Sequence, residues 1–178
     1  VYRAAILKDP ANAVAALKHE WFTTPAIDGK EICMQALGHT TDEALIKDVL
    51  LPFLFSSSPP APAADSIPPA DMHILAGVLA ANRVGRPLLW AYLRDNWGQF
   101  EAKLGGNPIV VDRMVNVSLP KFTDLESLRD IESFFAGVST KGFDRTLEQV
   151  KDKIRGRAAY KTRDAKGVRE WLVSNGYA

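Results

Sequence analysis

Reactive side chains are scarce in this chain. Of its 178 residues, one is cysteine and three are histidine. A single thiol excludes an internal disulfide framework and fits a reducing compartment. Three scattered histidines leave little for metal ligation, which needs several ligands at defined spacing. Long hydrophobic runs are also missing. The longest, Val49 to Phe55, is interrupted by Pro52 and is far short of the ~20 apolar residues that span a bilayer. Neither sign of charge is in excess. With 22 Lys plus Arg against 21 Asp plus Glu, net +1, neither nucleic acid nor a membrane is expected as a partner. No signal peptide is visible. The chain opens on Val1 rather than Met, so localisation is not read from its first residues.

What is present is ordinary globular material, 47% hydrophobic and 24% charged, which argues against disorder. A chain of this length buries roughly 70% of its unfolded surface and needs no staples. The charge is unevenly spread. Residues 141–178 hold ten basic and five acidic side chains, and the first 140 hold twelve and sixteen. A +5 tail therefore follows a −4 body. Such a tail either marks an anion site or is the solvated face of a helix, and the second is the more ordinary.

Helical signals recur along the chain and strand signals do not. A first helix carrying Ala4, Ile6 and Leu7 is predicted to close at Asp9-Pro10. Asn12 is the expected cap of a second, with Val14, Leu17, Trp21 and Phe22 at helical spacing. Asp28 is the expected cap of a third, which holds Ile32, Ala36 and Leu37 inward and stops at Gly38. Thr40 with Glu43, and later Thr123 with Glu126, read as capping boxes. The first precedes a helix facing inward through Leu45, Ile46, Val49 and Leu50. The second precedes one facing inward through Leu125, Leu128, Ile131, Phe134 and Phe135. Residues 56–70 are rich in proline and preclude a regular helix. They read as a surface loop within one domain, with a linker or a proline-motif ligand as alternatives.

Asp71 is the expected cap of the next helix, and Gly85-Arg86-Pro87 opens another, which runs past Trp90 to Trp97. Gly105-Gly106-Asn107-Pro108 is a strong breaker before a short helix over Ile109–Val117. Asp144 is expected to cap a basic helix with Leu147, Val150 and Ile154, and Asp164 to open a last one with Val168, Trp171 and Leu172. The prediction is an all-α chain of about nine helices, a HEAT/armadillo-like α-solenoid of antiparallel helix pairs, forming one domain over residues 1–178. No strict repeat period accompanies it.

A search for chemistry finds no complete constellation. His19-Glu20-Trp21-Phe22-Thr23 begins like the zinc-peptidase helix but has Thr23 where the second histidine ligand belongs. His39 and His73 stand alone beside helix starts and read as structural or solvated. Cys33, among Ile32, Met34 and Leu37, reads as a buried inert thiol. Neither a nucleophile elbow nor a phosphate-wrapping loop occurs. Carboxylates such as Asp42/Glu43 and Glu126/Asp130 fall in first turns, where helix dipoles account for them. Asn116-Val117-Ser118 is a formal glycosylation sequon that an intracellular chain would not use.

The strongest single feature is Asn82-Arg83-Val84-Gly85-Arg86-Pro87-Leu88-Leu89-Trp90, followed by Asn96-Trp97. Seven residues apart, Trp90 and Trp97 would anchor one face of one helix, with Asn96 available to a helix terminus. This passage resembles the C-terminal helical domain of the zinc aminopeptidases, the family of aminopeptidase N, puromycin-sensitive aminopeptidase and the endoplasmic-reticulum aminopeptidases. The rest agrees in order: Ala36-Leu37-Gly38 before Asp42 to Ile46, Phe122-Thr123 before Phe134-Phe135, Arg145-Thr146-Leu147-Glu148-Gln149, and Trp171-Leu172. The likeness covers nearly the whole chain, and the proline-rich loop looks most like that of fungal cytosolic members. Tyr160 stands about where many members have tryptophan, a departure that alters packing. The family's zinc helix and Gly-x-Met-Glu-Asn motif are missing from this chain, and both belong to a separate catalytic domain.

The resemblance implies a noncatalytic C-terminal domain that encloses the active-site cavity of a cytoplasmic zinc aminopeptidase. It would help bind and select the peptides whose N-terminal residues are removed. The implied partners are the catalytic domain of the same parent chain and peptide substrates. Zinc is implied for the parent enzyme, and neither zinc nor any other cofactor for this segment. Peptides offer charged ends and polar backbones, so cationic and amide side chains on the covering face are the candidates for binding them. These are Arg145 and Gln149, then Arg83 and Arg86. Pairing of Arg145 with a neighbouring carboxylate is the structural alternative. The alternative function is an independent helical-repeat scaffold that binds proteins. The expected result for the 178-residue chain is neither bound zinc nor hydrolysis of aminoacyl chromogenic substrates. Stoichiometric zinc with turnover, measured by metal analysis and absorbance, would overturn this reading.

Overall fold

A computed structural model describes residues 1–55, 67–104 and 107–177. Every regular element among them is helical, and ten helices stand where about nine were predicted. Helices α1 (Tyr2–Lys8), α2 (Pro10–Thr23) and α3 (Ile27–Leu37) open the chain. Helix α4 has three parts: an α turn at Glu43–Leu45, a π turn at Ile46–Leu50 and an α turn at Leu51–Phe55. Then come α5 (Met72–Ala81), α6 (Gly85–Asp95) and α7 (Trp97–Leu104). Helices α8 (Pro108–Ser118), α9 (Leu125–Ala136) and α10 (Asp144–Ser174) complete it. Most of the predicted 56–70 loop, and Gly105-Gly106 of the predicted breaker, lie outside the described residues. At the far end of that loop Ile67 is fully buried, and its N–H donates to the Phe53 carbonyl at 3.4 Å.

The aspartates that cap these helices through their side chains are not the ones the sequence suggested. Asp9, not Asn12, caps α2, accepting from the Asn12 N–H at 3.4 Å and its amide at 2.7 Å. Asp42 caps α4 through the Leu45 N–H at 3.0 Å, while Thr40 accepts from the Asp42 N–H. Asp124 caps α9 through the Ser127 N–H at 2.8 Å. Both predicted capping boxes are thus displaced by one or two residues. A carboxylate is the stronger acceptor and reaches the third residue on just as well. Asp28 lies inside the first turn of α3, whose N-cap is Ala26. Asp71 is the N-cap of α5 without a side-chain bond, and Asp144 is the first residue of α10 rather than its cap.

Two boundaries differ more substantially, and one proline is accommodated inside a helix. Pro52 does not end α4. The wide π turn before it absorbs the missing N–H and the ring's clash with the preceding turn. Trp90 and Trp97 lie on two helices, divided at Asn96, whose backbone leaves helical geometry at φ −121, ψ 23. The Asn96 amide donates to the Tyr92 carbonyl at 2.9 Å, so the predicted bond to a helix terminus is made. Asp164 opens no new helix. It sits inside the 31-residue α10 and pairs with Arg163 at 2.7 Å.

The helices pack in two rows. In one, α3 lies on α5, α5 on α8 and α8 on α10. In the other, α2 touches α4, and α4 touches α6 and α7. Helix α9 joins the second row through Trp90 and Trp97, whose rings meet Phe134 at 5.5 and 5.6 Å. Buried side chains from both rows form one apolar core, each full burial of a large side chain contributing about 1.5–3 kcal/mol. Several residues predicted to face inward are partly exposed instead, among them Ile32 (50%) and Leu125 (49%).

Gly85 and Gly38 are among the glycines held by close approach. A Cβ on Gly85 would lie 2.7 Å from the Leu79 carbonyl oxygen, and one on Gly38 would lie 2.6 Å from the Val78 Cβ. A Cβ on Gly156, mid-way along α10, meets nothing within 4 Å. In urea denaturation Gly85→Ala is expected to lower stability by ~1–3 kcal/mol. Gly156→Ala is expected to raise it by ~0.5–1 kcal/mol. Equal effects of the two would contradict the close approach at Gly85.

Candidate functional site

The Asn82–Pro87 passage is a folded corner between α5 and α6. The Asn82 amide donates to the Thr40 and Gly38 carbonyls, and its oxygen accepts from the Val84 N–H at 2.9 Å. One side chain thus ties the end of α3 to the start of α6. Arg86 folds back to cap α5, its Nε donating to the Ala80 carbonyl at 2.8 Å. Its guanidinium also lies 5.9 Å from the Phe122 ring centre. Burial first, then the neighbouring Arg157 and Arg83, hold the Arg86 pKa below its usual range, against the pull of Asp124. Arg86 therefore already has a structural task, while Arg83 is exposed.

Beyond the corner lies an aromatic seam. Trp97 approaches Phe100, Phe135 and Phe143 at ring distances of 5.1, 5.3 and 6.1 Å. The Trp90 indole N–H donates to Asp130 Oδ2 at 2.6 Å, and Arg94 pairs with the same carboxylate at 3.1 Å. Asp130 read as a helix-dipole residue in the sequence. Its real partners are 36 and 40 residues away, where no local pattern reveals them.

A surface groove of about 310 Å³ opens beside this seam, between α9 and α10. Phe135 reaches it from the seam, and Glu132, Thr140, Asp144, Arg145, Glu148 and Lys151 surround it. Most of its charges are already engaged. Arg155 bonds Glu132 at 2.6 Å and Asp152 at 2.9 Å, and Lys151 bonds Glu148 at 2.7 Å. Arg145 is exposed on the first turn of α10 and forms no ion pair among the described residues. The predicted alternative, a pairing of Arg145 with a carboxylate, is not made there. Gln149 lies one helical turn on, exposed, where i, i+4 spacing sets it on the same side. The four candidate residues fall into two places: Arg145 and Gln149 on α10, and Arg83 and Arg86 at the corner.

The other reactive residues stay apart. His19 is exposed, His39 is half-buried, and His73 Nδ1 lies 2.8 Å from the Ala70 carbonyl. Burial and then Arg3 lower the His39 pKa, and burial and then Glu20 raise that of Cys33. Among the described residues no three His, Cys, Asp or Glu side chains gather as metal ligands. These residues do not fit a zinc site. The Ser118 hydroxyl of the formal sequon is buried without a hydrogen-bond partner. No helix among the described residues is long and apolar enough to cross a membrane.

Two series of packed helices, a pinned corner and an aromatic seam define an all-α domain. Residues 1–156 match the family model described as ERAP1-like C-terminal domain, and the chain belongs to that family. It is 33% identical to Aminopeptidase 2 of Candida albicans over 113 residues, which are 64% of this chain and 12% of that protein. It is 28% identical to the Alanine/arginine aminopeptidase of Saccharomyces cerevisiae over 148 residues, 83% of this chain and 16% of that protein. The match to Aminopeptidase N of Mus musculus is 28% over 100 residues, 54% and 10% of the two chains. The chain therefore spans between 10 and 16% of the length of these relatives.

Asp124 joins the corner to α9. Burial pushes its carboxyl up. The Ser127 N–H and hydroxyl, Lys161 and the Thr123 backbone outweigh that, leaving its pKa below the usual 3.8. A carboxylate held low in the folded state stabilises above its unfolded pKa, and that contribution fades as pH falls through the folded value. Asp124→Ala is expected to cost about 1 kcal/mol at neutral pH. Urea midpoints of the two proteins should converge below pH 3.8, and a constant gap would contradict the assignment.

Proposed function

We propose that this chain is the noncatalytic closing part of the C-terminal domain of a zinc metallo-aminopeptidase. In this reading the two rows of helices form a curved, solenoid-like cover over the catalytic cavity of the same parent chain. The cover admits peptides, excludes folded proteins, and helps bind and select substrates for removal of N-terminal amino acids. The zinc ion belongs to the catalytic domain, where it supplies Lewis-acid activation of water. The parent is placed in the cytoplasm, on the resemblance of the proline-rich loop to that of fungal cytosolic members.

The observation that supports the reading best is the state of Arg145. It stands at the rim of a groove whose lysine, Lys151, is paired with Glu148, while Arg145 itself is exposed and without an ion pair among the described residues. A planar guanidinium held this way suits a peptide carbonyl or carboxylate. Gln149 extends the same side of α10 with an amide that both donates and accepts. Arg83 offers a second cation at the corner, with Arg86, which also caps α5, as a further candidate.

In the full-length protein, Arg145→Ala is expected to raise KM for peptides of eight or more residues by about tenfold, the worth of one charge-assisted hydrogen bond. Turnover of a single aminoacyl amide should change less than about twofold. Unchanged kinetics on long peptides would overturn the role of Arg145.

The second reading, a scaffold that binds proteins, draws on the part of α10 beyond the family match. There Tyr160, Val168 and Trp171 are 58, 47 and 57% exposed. A parent gene without an upstream zinc helix would favour it.

A further inference from the structure

The other flank of α10 carries a second groove, of about 390 Å³, between α5, α8, α10 and the turn after α8. Gly77, Asn116, Val117, Pro120, Lys121, Lys153 and Arg157 form it. Three of these are cations and none is an acid. Lys121, Lys153 and Arg157 form no ion pair among the described residues, whereas Lys151, Arg155 and Arg163 on the same helix all do. Gly77 lines the groove beside Val117, where a Cβ would make ordinary contact at 3.7 Å.

One atom in this groove lacks what buried atoms of its kind require. The Arg157 Nη1 is buried and has no hydrogen-bond partner. Leaving a charged donor desolvated and unpaired is costly, and such groups are normally satisfied. Arg157 also bears on Arg86 as a like charge. Asp124 is the carboxylate set against Arg86, and it bears on Lys161 as well. The groove thus presents an excess of positive charge, and the guanidinium of one of its lining residues has hydrogen-bonding capacity that the protein leaves unused.

We propose that this groove binds a small, multiply charged oxyanion of the phosphate or polyphosphate type. Its oxygens would accept from the Arg157 guanidinium, and Lys121 and Lys153 would balance the charge. Phosphate geometry suits the planar donor fork of arginine, and lysine acts beside it as a point charge. The proposal does not depend on the peptide-covering reading, which rests on Arg145 and the groove between α9 and α10.

The test is thermal unfolding and calorimetric titration of the 178-residue chain with inorganic phosphate and with pyrophosphate, each against sodium chloride of matched ionic strength. A ligand bound by the folded state raises the midpoint with concentration, and the more highly charged pyrophosphate should bind the more tightly. Arg157→Met is expected to keep the anion-free midpoint or raise it, because it removes an unsatisfied donor, and to weaken anion binding by about tenfold. Lys153→Ala should weaken binding while leaving the fold intact, and Lys141→Ala, outside the groove, should change nothing. The proposal is overturned if neither anion binds beyond the salt control, if Arg157→Met responds as the unaltered chain does, or if Lys153→Ala and Lys141→Ala behave alike. Loss of the anion-free fold in Arg157→Met would also count against it, since Arg157 would then be a structural residue.

Discussion

Trp97 sits where α6, α7, α9 and the start of α10 converge, and the placement of the candidate site depends on its packing. Its ring lies 5.1–6.1 Å from those of Phe100, Phe134, Phe135 and Phe143. The indole N–H is buried without a partner, which costs ~1–3 kcal/mol. Burial of a side chain that removes roughly 150–250 Å² from water offsets this, at ~25 cal/mol per Å². Phe143 is the N-cap of α10, so the seam determines where that helix starts. Phe135 leads from the same seam to the groove in which Arg145 stands. The position of an exposed arginine is thereby set by an apolar contact several residues away.

From that start the periodicity of α10 distributes its charge. Leu147, Val150, Ile154 and Ala158 face the core, a stripe with the spacing of one helix face. On one side of the stripe Lys151 pairs with Glu148 of the same helix, and Arg155 pairs with Glu132 of α9. Those on the other side, Lys153 and Arg157, meet α5 and α8, where the groove offers no carboxylate. The +5 tail of the sequence is thus two electrostatically different flanks. The first is largely neutralised around Arg145, and the second keeps its excess.

The corner at Asn82–Pro87 shows how a short motif can be conspicuous for structural reasons. Asn82 joins α3 to α6, Gly85 permits contact with the Leu79 carbonyl, and Arg86 satisfies the last carbonyls of α5. Each task needs one residue type: an amide that donates and accepts, a residue without Cβ, and a long donor. The passage that pointed to the family therefore holds the fold together, and within it Arg83 is the charged residue that faces solvent unengaged.

Helix content, the approximate extents of most helices, the breaks at Asp9-Pro10 and Gly38, and the family were legible in the sequence. Amphipathic spacing, proline geometry and ordered short motifs act over a few residues and leave a local trace. Cap identities were less legible, because Thr40, Asp42, Thr123 and Asp124 compete within two residues and three-dimensional reach decides among them. Arg145 and Gln149 stood out by resemblance, and the Lys151–Glu148 pair is local to α10, but that Arg155 reaches Glu132 while Arg145 has no ion pair among the described residues depends on how α9 lies against α10. The Trp90–Asp130 bond, the division at Asn96 and the orphaned Arg157 donor left no trace in local pattern. They join residues of distant segments, or depend on what lies opposite them, and only the packing of the helices decides either.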